Sequence, residues 1–283
     1  MRILQRLAAK MPARVRRLVP HGLPFRLKLL GERWMARSPF EIRRHLPPIT
    51  LDPLDLVLDT FSARAKPVTI VQVGACDGIM SDPIHHQVAK DSTRAILIEP
   101  NPYAFARLQK LHADRPNVTL IQAAIGEKDG EAHLYRVKRT EKADSEVDLT
   151  FGIASFYKEH LEHHGKKDYE IERITVACRS LSSLVAELGL TKIDLLQIDA
   201  EGFDAAVVRM ALNLPMRPDC INFEHVHLAA QDRQPLFALL EEHGYLLGYD
   251  AWNILALQKT SLNVSGGQPG SRNGAHEAGQ STK

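Results

Sequence analysis

Short runs rich in β-branched residues alternate with segments of helical period through most of this chain. The runs are Val68 to Val73, Ala95 to Ile98, Val118 to Gln122, Ile193 to Ile198 and Cys220 to Phe223. Between them, a helix is predicted from Asn101, with Pro102 in its first turn. Ser180 caps a second, whose Leu181, Leu184, Val185 and Leu188 share a face and which Gly189 stops. Phe203, Val207 and Met210 mark a third stripe, and Leu236, Leu239 and Leu240, closed by Gly244, a fourth. Mostly apolar strands and helices in strict succession imply a sheet covered on both faces, which predicts a doubly wound, mostly parallel α/β sheet. Tyr245 to Tyr249 and Trp252 to Leu257 are read as a terminal antiparallel hairpin.

The rhythm breaks from 131 to 178. Strand-like pieces, Ala132 to Val137 and Glu172 to Val176, flank a charged, histidine-bearing stretch. Residues 137–172 therefore read as an insertion after the third strand, at the rim where ligands of open α/β sheets sit; it is either a lid or a solvated excursion. Residues 67–259 form the main domain, preceded by a helical lead-in (38–66). The last stretch, 260–283, is rich in Gly, Ser, Asn and Gln and is expected to be disordered.

Composition adds little to this until its distribution is considered. With 283 residues, 44% hydrophobic and 25% charged, the chain suits one large globular domain with appendages. A net charge of +2 argues against a dedicated nucleic-acid binder. Residues 1–37, however, hold ten Lys or Arg against Glu32 alone, a net +9 that leaves −7 for the other 246 residues. Leu4, Leu7, Met11, Val15 and Leu18 follow one helical face through this leader, interrupted at Pro12. Attraction to an anionic membrane surface and packing on the body are equal readings of it. Without an apolar run long enough to span a bilayer or a signal-peptide core, the expected location is the cytoplasm, peripheral to the inner face of the membrane if the leader binds there. Cys76, Cys178 and Cys220 are too scattered for a disulfide framework or a zinc knuckle.

The first strand runs into Val73-Gly74-Ala75-Cys76-Asp77-Gly78. Its G-x-x-x-G spacing is not the G-x-G-x-x-G that seats a pyrophosphate, which counts against NAD or FAD. Asp77 would repel phosphate and welcome a cation, conditions that S-adenosylmethionine meets with its sulfonium and ammonium groups. Glu99, at the tip of the second run and 25 residues after Gly74, is placed to accept from both hydroxyls of a ribose. Ala123-Ala124-Ile125-Gly126 offers small residues for a flat adenine ring.

Asp199 and Glu201 follow one strand, and Glu224, His225 and His227 follow the next. Neighbouring strand tips would gather these groups around an acceptor hydroxyl that must lose its proton as it attacks a methyl carbon. His225 and His227 with Asp199 also make a conceivable divalent-metal set, although metal-free base chemistry is the preferred reading. His160, His163 and His164 lie in the insertion, where a solvated face or a lid contact is preferred to a zinc site.

From about Val68 to Leu257 the chain resembles the FkbM-type S-adenosylmethionine-dependent methyltransferases. The likeness rests on VQVGACDG with Ser81 following, IEPNP, SLSSLVAELG, LLQIDAEGFDAAVV and INFEH. It departs at Cys76, where the family more often has Asn. The resemblance implies a Rossmann-like class I fold and methyl transfer to a hydroxyl of a sugar, glycolipid or secondary metabolite. It places the cofactor against Gly74, Ala75, Asp77, Gly78, Ser81, Glu99, Asn101, Ala124 and Asp199, with Asp199, Glu224 and His225 as the catalytic candidates. The competing readings are an NAD-dependent oxidoreductase and a membrane or RNA adaptor with a vestigial pocket.

Overall fold

The computed structural model describes residues 53–64, 67–138, 152–228, 230–249 and 252–262. The leader 1–37, most of the lead-in and the chain beyond 262 lie outside the described residues. A helix, α1 (Pro53–Arg64), precedes β1 (Val68–Val73), α2 (His85–Val88), β2 (Thr93–Ile98), α3 (Pro102–Leu111) and β3 (Val118–Ile121). Next come β4 (Ala124–Gly126), β5 (Gly130–Val137), β6 (Ala154–Ser155), α4 (Lys158–His163) and β7 (Ile171–Ser180). The chain then runs through α5 (Leu181–Glu187), β8 (Leu195–Ile198), α6 (Asp204–Leu212), β9 (Cys220–Glu224), α7 (Ala230–Glu242), β10 (Tyr245–Tyr249), β11 (Asn253–Gln258) and α8 (Lys259–Leu262).

Seven strands form one sheet in the order β10-β11-β9-β8-β1-β2-β3. All six residues of β1 are buried, because the strand pairs on both edges, parallel to β2 and to β8, and is covered on both faces. Val71, Ile96, Leu196 and Ile221 face a core completed by α5, α6 and α7. Their neighbours Ile70, Ala95, Leu97 and Leu195 face Leu58 of α1 and Phe105 and Leu108 of α3 on the other side. This is the doubly wound sheet that the alternating runs predict. The terminal hairpin enters it by its second strand: β11 lies between β10 and β9 and runs antiparallel to both.

The break in rhythm forms a sheet of its own, ordered β4-β7-β5-β6. It takes in more chain than the 137–172 expected, because β4 already leaves the main sheet at Ala124 and β7 continues to Ser180. Gly126 makes the junction: a Cβ there would lie 2.5 Å from the Cys178 sulfur. Ile153, Leu161 and Ile171, with Tyr135 and Val137 against them, pack α4 onto this sheet. Arg136 ties it to α3. Its guanidinium donates to Glu172 Oε1 (2.9 Å) and Asn101 Oδ1 (3.2 Å) and lies 4.4 Å over the Tyr103 ring. At the chain's end, residues 260–262 are helical within α8, so regular structure extends past the expected boundary at 259.

Candidate active site

Strand order reverses between β1 and β8, the switch point at which open α/β sheets bind ligands beyond their strand ends. A cavity of about 420 Å³ opens there. Gly74, Ser81, Glu99, Ala124 and Asp199 of the expected cofactor residues line it, and among the described residues its lining has no Lys or Arg.

Glu99 is 3% exposed. Its Oε2 accepts from the Cys76 N–H (2.8 Å) and its Oε1 from the Asn101 N–H (2.7 Å), leaving each oxygen a second lone pair. Burial pushes its carboxyl up to about 7, against the pull of those two hydrogen bonds. Asp199 is raised well above the usual carboxylate range, by burial first and then by repulsion from Glu201, Asp204, Glu224 and Glu99. Asp204 accepts from the N–H groups of Ala200 (3.5 Å) and Gly202 (3.3 Å), holding the turn that carries Glu201, and burial raises it to about 6. Carboxylates crowded without a lysine or arginine among them favour a cationic ligand.

Other expected residues serve the loop itself. Asp77 Oδ1 accepts from the N–H groups of Ile79 and Met80, and Asn101 caps α3 by accepting from Tyr103 N–H. Neither lines the cavity, nor do Ala75 and Gly78. Gly74 lines the cavity and also lies tight against the protein's own backbone: a Cβ would lie 1.8 Å from the Asp199 carbonyl oxygen. At Gly78 it would meet side chains rather than backbone: Leu108 at 2.8 Å, Leu111 at 3.0 Å and His112 Nε2 at 3.3 Å. Gly74→Ala is therefore expected to lower the melting temperature by at least roughly 5 °C, and Gly78→Ala by less. Equal melting of Gly74→Ala and wild type in a thermal scan would refute the contact.

Among the described residues, the non-glycine residues with positive φ are Cys76 (49°), Ser81 (57°) and Glu201 (50°), and all three line the cavity. Left-handed backbone costs of order 1 kcal/mol or more per residue and concentrates at functional sites. The Cys76 thiol is raised by burial and by Glu99 and Asp77, which makes it a wall rather than a nucleophile.

The second sheet closes one side. Ser155 Oγ donates to the Glu201 carbonyl (2.7 Å), Phe156 packs on Phe203 with ring centroids 4.6 Å apart, and Glu201 Oε2 lies 2.6 Å from His160 Nε2. Glu224 ends β9, with Oε2 3.6 Å from His227 Nε2. His225 donates its backbone N–H to Trp252 O (2.8 Å), and neither Glu224 nor His225 lines the cavity. The chain turns after β9, so His225 and His227 do not share a strand face. His227 instead meets His160 and His164, a grouping not anticipated from the sequence. Burial, then His160, lowers both His164 and His227 from the ordinary imidazole value.

A Rossmann-like sheet whose switch-point cavity holds a strand-end glutamate and a crowd of acids is compatible with an S-adenosylmethionine-dependent methyltransferase, and the family match gives that class. Within that class the chain belongs to the FkbM family: residues 72–247 match the methyltransferase FkbM domain. No curated protein matches the sequence. Solved structures similar to it include a methyltransferase from Geobacter sulfurreducens (12% identity, 91% of this chain and 95% of that one, TM-score 0.40). Others are precorrin-6y C5,15-methyltransferase from Geobacter metallireducens (14%, 72% and 85%, 0.37) and Aeropyrum pernix fibrillarin with natively bound S-adenosyl-L-methionine (12%, 72% and 74%, 0.35).

Proposed function

We propose that this methyltransferase acts on oxygen, at a hydroxyl of a sugar, glycolipid or secondary metabolite. The observation that carries the reading is the cavity wall, to which Asp199, Glu201 and His164 all contribute. A hydroxyl needs a proton acceptor during transfer, and this wall supplies two carboxylates within one cavity.

The cavity fits S-adenosylmethionine on the evidence of its donors: a buried carboxylate with two spare lone pairs, acids in place of basic groups, and small residues at 123 and 124. Once bound, that cofactor supplies a methyl group on a sulfonium centre. Glu99 would accept from the ribose hydroxyls, Ala124 would leave room for the adenine, and Asp199 would face positive charge. Asp199 or Glu201 would accept the proton of the acceptor hydroxyl. Glu224 and His225 act as supports, holding the turn after β9. Among the described lining residues an NAD-dependent reading finds no Lys or Arg to receive a diphosphate.

The direct test compares glycans and lipids of a deletion strain with wild type by mass spectrometry. Loss of one methyl increment on a carbon-bound oxygen is expected; loss from nitrogen, sulfur or RNA would overturn the reading. No helix among the described residues is long and apolar enough to cross a membrane. We assign membrane contact to residues 1–37, whose +9 charge would contribute about 1 kcal/mol per basic residue at an anionic surface. Full-length protein should float with anionic liposomes and lose binding at high salt, whereas a chain lacking 1–37 should not float. Equal flotation would place the leader elsewhere.

A further inference from the structure

Three imidazoles from two distant stretches of chain meet beside the cavity. His160 lies in α4 and His164 follows one turn later, so both project from the same side. His227 comes from the turn after β9. Ring centroids are 4.7 Å apart for His160 and His164, 4.7 Å for His160 and His227, and 5.3 Å for His164 and His227. One nitrogen of each lies within 4.8 Å of the others. His160 is buried, while His164 and His227 keep solvent exposure and with it freedom to adjust.

Two carboxylates stand behind this trio. Glu201 Oε2 is 2.6 Å from His160 Nε2, and Glu224 Oε2 is 3.6 Å from His227 Nε2. An imidazole backed by a carboxylate is the arrangement by which proteins orient metal-bound histidines. With the three rings neutral, the five groups carry two negative charges, the complement of one divalent cation.

We propose that His160, His164 and His227 bind a single divalent first-row transition ion, with Zn²⁺ the best match to three imidazole nitrogens. Tetrahedral ligation at about 2.1 Å places donors about 3.4 Å apart, so small rotations of the two exposed rings complete the site. Three protein ligands leave a fourth position, and His164 lines the cavity, so that position opens toward the acceptor. An ion there would bind the acceptor oxygen and ease release of its proton to Glu201. That role rests on the hydroxyl-transfer reading, whereas ion binding itself does not.

The test uses tag-free full-length protein, stripped with EDTA, dialysed against Zn²⁺ and measured by elemental analysis and chelator competition. One equivalent of zinc is expected, with affinity at least tenfold weaker in His164→Ala and in His227→Ala. His163→Ala, on the same helix but outside the trio, should bind as wild type does. Co²⁺ should give the visible absorption of a tetrahedral site, lost in the same two variants. Less than stoichiometric zinc, or unchanged affinity in variants whose melting confirms folding, would overturn the proposal. Titration of the stripped protein with S-adenosylhomocysteine reports separately on the methyltransferase reading, so the two failures are distinguishable.

Discussion

Glu99→Ala is expected to bind S-adenosylhomocysteine at least a hundredfold more weakly than wild type. Each hydrogen bond to a charged group contributes about 1.5–3 kcal/mol, and about 1.4 kcal/mol is tenfold in affinity, so losing two ribose contacts exceeds that factor. pH gives an independent check. Burial pushes the Glu99 carboxyl up to about 7. Ionised, it accepts from two hydroxyls; protonated, it spends one oxygen as a donor. Affinity should therefore rise as pH climbs through about 7 and level off above it, and Glu99→Gln should remove that step. Calorimetry from acid to mildly alkaline pH measures both, and an unchanged Kd in Glu99→Ala would sink the ribose assignment.

Asp199→Asn should lose turnover by about 10² to 10⁴, the usual range for a positioned proton acceptor. Its melting temperature should not fall. The carboxyl is buried and repelled by Glu201, Asp204, Glu224 and Glu99, so removing its charge relieves the folded state. The combination separates a functional carboxylate from a structural one, whose loss would cost stability first. Full turnover by Asp199→Asn with a known acceptor would remove it from the reaction.

The main sheet was legible because its central strands β1, β2, β8 and β9 are largely buried on both faces and so announce themselves as mostly apolar runs. β1 and β10 have the bounds read from sequence, and Ser180 and Asn101 cap the helices they were expected to begin. The second sheet was harder to see. β5 and β7 alternate exposed and part-buried positions, a weaker signal than continuous burial, and β4 is three residues long. In the site, Glu99 and Asp199 could be placed because each ends an apolar run. The meeting of His227 with His160 and His164 could not, since it depends on how a chain segment between β5 and β7 folds back over the turn after β9. The packing of Gly74 was hidden for a related reason: its close neighbour, the Asp199 carbonyl, is 125 residues away in sequence.

That separation has a consequence for synthesis on the ribosome. β1 can pair with β2 soon after both emerge, but its other edge waits for β8. At about 5–20 residues per second, the roughly 120 intervening residues take on the order of 6 to 24 s to translate. Throughout that interval the nascent chain presents an open edge of a mostly apolar strand, the template on which other chains pair. Slowing elongation across β5 to β7 should raise the share of insoluble product, and a chaperone holding the first hundred or so residues should lower it.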